Sequence, residues 1–410
     1  MFKRTKFIKN ILFIALLVVS FYKFYQFLYD YIINSRNQAY LKQNSYKFKN
    51  NSKYLEFDSS DPLSDYVKKH EDIINLKIQA KIVFHKRRNS GGYGNSLYAF
   101  FSALLISILS DSALVSDWEY IDLFIKPPLK NIFHKYESNS QFNINYKSNY
   151  LIQNSPNAWI YNKNLNVYLG YQLPSDQKRL HFESITAFLF DLCANPKNYD
   201  KIAKYKLASN KTLQNALTSL SRREENNPHL DAKIVEDLLL VGYEVFSTLL
   251  NKFWIPQDFL QKQIDDFYLR EFKGKFVVGM QLRFLYMDAS DMDKFFKCAF
   301  YIEKINGVDN AKWFLSGDDD RKVELIKKKY PNKFIYGNGK IGHTSFSSIG
   351  SYERAVFDSG STFGFTAAIR QNKLPYCIEG LSKQKLDENE PCKRMSLNRG
   401  PKRTKGFIVI

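Results

Sequence analysis

The stretch "GGYGNSLYAFFSALLISILSDSALVSDW", Gly91 to Trp118, decides the fold. Its glycines permit a tight turn and leave room for another group to come close to the backbone. From Ser96 onward, Leu97, Phe101, Leu104, Leu105, Ile108 and Leu109 recur at intervals of three and four, the period of an α-helix. The stretch "ALVSDW" then reads as a strand, and "KIVFH" (Lys81 to His85) as an earlier one. Strand, glycine turn, helix and strand in that order predict a βαβ unit of a parallel sheet.

The second half of the chain repeats this grammar. "KFVVGMQLRF" (Lys275 to Phe284) is a nearly continuous apolar strand, and a helix is expected over about Met292 to Ile305. "AKWFLSGDDD" is a strand running into a polar turn, and "DRKVELIKKKY" is a helix with acidic residues early and lysines late, as the helix dipole favours. "FIYG" and "LPYCI" are further strands, and "DSGSTFGFTAAI" is a turn entering a helix. Between the halves, residues 227–272 read as mostly helical, with Pro228 near the start and Pro256 interrupting. The expected fold class is α/β, with two Rossmann-like lobes over residues 64–260 and 261–410. Ligands of such open sheets sit at the carboxyl ends of the strands.

The 410 residues carry 60 Lys and Arg against 41 Asp and Glu, a net charge of +19 that suits anionic partners. No zinc finger, RNA-recognition signature or basic-aromatic run points to nucleic acid. Six scattered histidines and four cysteines show no metal-ligand spacing, so no metal site is expected. Cys193, Cys298, Cys377 and Cys392 allow three disulfide pairings; Cys377 and Cys392 are near enough in sequence to close a short loop, and buried thiols are the alternative.

The chain opens with "MFKRTKFIKNILFIALLVVSFYKFYQFLYDYII". Lys3, Arg4, Lys6 and Lys9 precede an apolar run from Ile11 to Tyr22, extended by aromatics. Residues 10–33 are expected to form a signal-anchor transmembrane helix, with residues 1–9 cytoplasmic and the body lumenal. A cleaved signal ending at Ser20 is the alternative. Residues 34–63 read as a polar stem, and Asn50 and Asn210 are sequons open to lumenal glycosylation.

Arg283 follows the apolar run of "VVGMQLRF", where a guanidinium can hold a diphosphate and offset charge on its departure. Ser361 and Thr362 fall at an expected helix N-terminus, where hydroxyls and free amides bind an anionic oxygen. Asp318, Asp319 and Asp320 read first as a solvated helix cap, and His343 as a loop residue.

These residues carry a family resemblance. "GGYGN", the apolar helix and "LVSDWEYIDLFIKPP" together resemble the opening of the plant xyloglucan fucosyltransferase family, glycosyltransferase family 37. "VVGMQLRF" is similar to its Gly-Ile-Gln-Ile-Arg-x-Phe segment at Gly279, Gln281, Arg283 and Phe284. "DSGSTFGFTAA" is similar to its Ser-Thr-Phe-Gly segment at Ser361, Thr362, Phe363 and Gly364. Ser96 stands where the family has arginine.

The resemblance implies a single-pass Golgi enzyme of the two-lobed GT-B type. It would transfer L-fucose from GDP-fucose to a glycan hydroxyl with inversion, forming an α-1,2 linkage without a metal. It implies that Arg283 binds the donor diphosphate and that Gln281, Ser361, Thr362 and Phe363 line the donor site. Gly92, Gly94 and Asn95 would shape the other wall of the cleft. Asp288 is the catalytic carboxylate candidate nearest Arg283 in sequence, with Asp291 beside it. The competing readings are an α-1,6- or protein O-fucosyltransferase and a membrane-anchored glycan-binding protein without catalysis.

Overall fold

The computed structural model describes residues 55–78, 82–87, 93–118, 121–133, 179–182, 189–222, 232–282, 289–317, 320–336, 354–358, 369–370, 376–378 and 389–394. The expected anchor and stem up to residue 54 lie outside them. Among the described residues, no helix is long and apolar enough to cross a membrane.

The first half is built around the expected βαβ unit. Strand β1 (Ile82–His85) and strand β2 (Ala113–Ser116) pair in parallel, joined through a long helix, Tyr93–Leu109. A third strand, β3 (Arg179–Phe182), pairs in parallel with the other edge of β1, giving the order β2-β1-β3. Strand β3 is not among the strands expected from the sequence. A shorter helix, α1 (Ser64–Ile74), precedes this sheet, so the Tyr93–Leu109 helix is α2.

From Leu97 to Leu109 every residue of α2 is buried, as expected of a helix that is apolar all round. Each buried Leu, Ile or Phe side chain contributes roughly 1.5–3 kcal/mol, so this helix dominates the first core. The buried Ser102 and Ser107 do not forfeit that gain, because both hydroxyls are satisfied. Ser102 donates to the Tyr98 carbonyl and accepts from Leu189 N, while Ser107 donates to the Leu104 carbonyl and pairs with the Tyr66 hydroxyl at 2.5 Å.

The helical middle follows as α3 (Leu189–Ala194), α4 (Tyr199–Lys204), α5 (Asn210–Ser221), α6 (Ala232–Phe253) and α7 (Asp258–Glu271). Pro256 separates α6 from α7, as the sequence implies. Helix α6 packs on α2, α3 and α5.

The second half forms a six-stranded sheet in the order β6-β5-β4-β7-β8-β9, from β4 (Val277–Leu282), β5 (Lys312–Gly317), β6 (Phe334–Tyr336), β7 (Arg354–Asp358), β8 (Tyr376–Ile378) and β9 (Lys393–Arg394). All neighbours pair in parallel except β9, which runs antiparallel to β8. Helices α8 (Ala289–Ile305) and α9 (Asp320–Lys329) interleave with the first of these strands.

Alternation along β4 and β5 divides the sheet's two faces. Val278, Met280, Trp313 and Leu315 pack with Phe295, Phe296, Ala299 and Ile302 of α8. Val277 and Phe314 instead join the core that contains α2 and α6. The second sheet is thus buried on both faces, which explains why its central strands read as continuous apolar runs.

Of the cysteines, Cys298 on α8 and Cys392 before β9 form a disulfide. This corrects the short Cys377–Cys392 loop suggested by proximity in sequence: the bonded partners lie 94 residues apart. Cys193 is a buried thiol.

Candidate functional site

Three strand ends organise the second sheet's carboxyl rim. Register pairs Gln281 with Ser316 of β5 and with Phe357 of β7, and Leu282 with Gly317. Strands β4, β5 and β7 therefore end side by side. The residues that follow them in the chain are Arg283, Asp318 and Ser359. Parallel pairing brings the ends of β4 and β7 together although their sequences lie more than 70 residues apart. Gln281 is in β4, but Arg283, Asp288, Ser361, Thr362 and Phe363 lie outside the described residues, as do Asp318, Asp319 and His343. Asp320 begins α9, and Asp291 lies in the first turn of α8.

At the first sheet, Gly92 is also outside the described residues. The helix begins at Tyr93 rather than near Ser96, so Gly94 and Asn95 belong to the first turn of α2 and not to the turn before it. Gly94 is buried and Asn95 half-buried. The first-turn N–H groups of a helix have no partners within it, so the segment remains suited to an anionic or hydroxyl guest. Ser96, at the position of the family arginine, is buried.

The described residues at the carboxyl ends of β1 and β2 form a connected polar group that sequence reasoning missed. His85 ends β1 and is fully buried, and its Nδ1 lies 2.8 Å from the Ser116 hydroxyl at the end of β2. Ser116 Oγ also accepts from Trp118 N at 3.3 Å. Asp117 N donates to the His85 carbonyl at 3.1 Å, and Asp117 Oδ1 accepts from Arg87 N at 2.6 Å. The Arg87 guanidinium stands over the Trp118 ring, 5.4 Å from its centre. Two strand ends are thereby tied in both directions, backbone to backbone and side chain to backbone.

The electrostatics of the group are uneven. Burial, reinforced by the Arg87 charge, lowers the His85 imidazole to about 3, so it is neutral at ordinary pH. Its ring meets the Phe100 ring edge to face at 5.8 Å, and its Nε2 makes no hydrogen bond among the described residues. Asp117 is half-buried, and burial raises its carboxyl pKa, against the opposing effects of the Arg87 N–H and the Lys86 and Arg87 charges. The signal available in sequence was the Ser-Asp pair closing an apolar strand, the same placement that singled out Arg283.

Structure gives the "DLFIKP" segment, Asp122 to Pro127, a different task from chemistry. The Gln257 side-chain amide donates to the Asp122 carbonyl at 2.9 Å and to the Ile125 carbonyl at 3.4 Å. Gln257 N donates to the Phe124 carbonyl, Lys126 N donates to the Ile255 carbonyl, and Ile125 bridges Pro256. Lys126 pairs with Asp258 at 2.7 Å. The segment is a clasp for the loop between α6 and α7.

Of the sequons, Asn50 is outside the described residues. Asn210 is exposed at the start of α5, while Thr212 is buried, with its hydroxyl donating to Glu244 at 2.6 Å. Among the described residues, no three His, Cys, Asp or Glu side chains gather as a metal site requires.

No protein-family model and no curated protein matches the sequence. Among solved structures, a mutant of Arabidopsis thaliana FUT1 in complex with GDP superposes with a TM-score of 0.51 at 15% identity, over 86% of each chain. The Bradyrhizobium fucosyltransferase NodZ superposes with a TM-score of 0.41 at 12% identity, over 71% of this chain and 92% of its own. The likeness to FUT1 is one of fold.

Proposed function

We propose that this chain is a fucosyltransferase that moves L-fucose from GDP-fucose to a glycan hydroxyl with inversion. The observation that carries this reading is the fold shared with a GDP-bound FUT1 over 86% of both chains. The three sequence segments support it: the glycine turn before α2, the β4 segment ending at Arg283, and the Ser361 to Gly364 segment after β7. In this reading Arg283 holds the donor diphosphate, and its fixed charge offsets the charge of the departing GDP without a metal. Ser361 and Thr362 bind the same phosphates, with Gln281 and Phe363 lining the donor site. Gln281 stands two places before Arg283, where α-1,6- and protein O-fucosyltransferases usually present a histidine, and this favours an α-1,2 linkage.

The location that fits is the Golgi membrane. Residues 10–33 would anchor the chain, and its body would lie in the lumen. The Cys298–Cys392 bond and the exposed Asn210 are consistent with an oxidising, glycosylating compartment. Because Thr212 is buried and bonded in the folded chain, Asn210 would be modified before α5 forms. A second reading, glycan binding without turnover, draws its support from Ser96 in the place of the family arginine.

Calorimetric titration of the detergent-solubilised full chain with GDP-fucose, GDP-mannose and UDP-galactose tests the proposal. The expected result is selective binding of GDP-fucose, weakened at least about tenfold in Arg283→Ala, the cost of removing a charged diphosphate partner. A folded wild type that binds none of the three overturns it.

A further inference from the structure

We propose that Asp117 is the carboxylate that takes the proton from the acceptor hydroxyl, an assignment that rests on the fucosyltransferase reading above. The sequence places the nearest candidate, Asp288, beside Arg283; the structure offers a better-founded one on the other sheet.

Three observations carry the assignment. Asp117 stands at the carboxyl end of β2, beside the end of β1, which is the rim where parallel sheets bind ligands. Its position is fixed from both sides: its own N–H is bonded to the His85 carbonyl, and its Oδ1 accepts from Arg87 N. Its Oδ2 makes no hydrogen bond or ion pair among the described residues, and the residue is half-buried between the buried Ser116 and Trp118. A carboxylate with one oxygen anchored and the other uncommitted can accept a proton without reorganising.

Two other half-buried aspartates are built differently. Asp61 is paired with Lys252, and Asp111 with Lys69 and Lys201. Burial opposes ionisation at both, but the lysines outweigh it and hold them below the usual carboxylate range. At Asp117 burial wins and the carboxyl lies above that range, which makes it a stronger base. Among the described residues, the charged and titratable groups facing it are Lys86, Arg87 and the neutral His85, all from the end of β1.

The step balances as a single displacement. The acceptor oxygen forms its bond to C1 of fucose as the bond from C1 to the β-phosphate oxygen breaks. The electron pair leaves on GDP, and the hydroxyl proton passes to Asp117 Oδ2. GDP-fucose is the donor of the reading above, and no oxidant or further reactant is needed.

The test uses the full chain and Asp117→Asn, which preserves an acceptor for Arg87 N but cannot take a proton. GDP-fucose affinity is measured by calorimetry. GDP release is measured with N-acetyllactosamine as the acceptor probe and with water, between roughly pH 5 and 8.5. The expected result is donor affinity within about twofold of wild type, turnover lowered on the order of 100-fold, and loss of the wild type's acidic limb. That limb arises because the carboxylate is protonated as pH falls through its raised pKa.

A variant that turns over within about tenfold of wild type with the same acidic limb overturns the assignment. So does a variant that loses donor affinity or melts much earlier, since Asp117 would then be a scaffold residue. A wild type that binds GDP-fucose but releases GDP with neither probe also overturns it and leaves the donor half of the function reading standing. A wild type that binds no GDP-fucose overturns the function reading itself.

Discussion

Gly242 of α6 lies against the ring of Phe190 of α3 so closely that a Cβ on the glycine would stand 2.5 Å from the ring's Cδ1. Phe190 is fully buried and meets Phe246, one turn further along α6, edge to face at 6.4 Å, so the ring has little room to retreat. Gly242→Ala would gain about 1 kcal/mol of helix propensity. Overpacking costs about 1–3 kcal/mol, and the buried ring places this site toward the upper end. The expected outcome is a net loss of about 1–2 kcal/mol in denaturant unfolding. Adding Phe190→Leu should recover part of that loss, giving a double variant more stable than the sum of the single effects.

Two buried histidines make the fold acid-sensitive. His70 accepts from Leu114 N at Nδ1, 3.2 Å away, and pairs with the Lys130 carbonyl through Nε2 at 2.9 Å. Burial lowers it to about 4, while the Lys130 carbonyl opposes the shift; His85 is lowered to about 3. Folded-state values depressed below the ordinary imidazole value of about 6.5 mean that the unfolded chain binds the extra protons. Their contribution is complete above that value and is lost as pH falls toward the folded values. Stability is expected to drop by about 1.4 kcal/mol per histidine per pH unit, over pH 6.5 to about 4 for His70 and to about 3 for His85. Urea midpoints across this range check it: His70→Gln should flatten the slope by about half between pH 6 and 4. An unchanged slope in that variant would remove His70 as a cause.

The parts of the fold legible in sequence are those whose burial imposes a long pattern. Helix α2, strand β4 and the dipole-matched α9 each follow a period or an unbroken apolar run. Strand β3, only four residues that alternate polar and apolar, and β7, five residues after a polar stretch, are too short to give such a signal. They are strands because β1 and β4 offer them free edges, a fact located elsewhere in the chain. The same holds for the site. Arg283 could be singled out because its strand is self-evident, whereas Asp117 depends on Arg87, thirty residues away, and on the depth of the β1–β2 rim. The "DLFIKP" segment shows the converse: a recognisable motif whose structural role is to grip Gln257.

The disulfide yields the last expectation. Cys298 lies on α8, which covers β4, β7 and β8, and Cys392 precedes the two-residue β9 at the sheet's edge. Two residues of ladder cannot hold an edge strand alone, so the bond fixes the end of the sheet to the helix beneath it. It closes a 94-residue loop that includes the Ser361 to Gly364 segment. Constraining the unfolded chain over such a loop contributes about 4–5 kcal/mol in the chain-entropy model, and measured bonds typically give about 2–4 kcal/mol. Cys298→Ser and Cys392→Ser should each lower unfolding stability by about that measured amount, and the double variant by no more than either alone. Non-reducing electrophoresis should show the oxidised wild type migrating faster than all three. Strict additivity of the two single losses would mean that the cysteines stabilise the fold separately and that the bond between them contributes nothing.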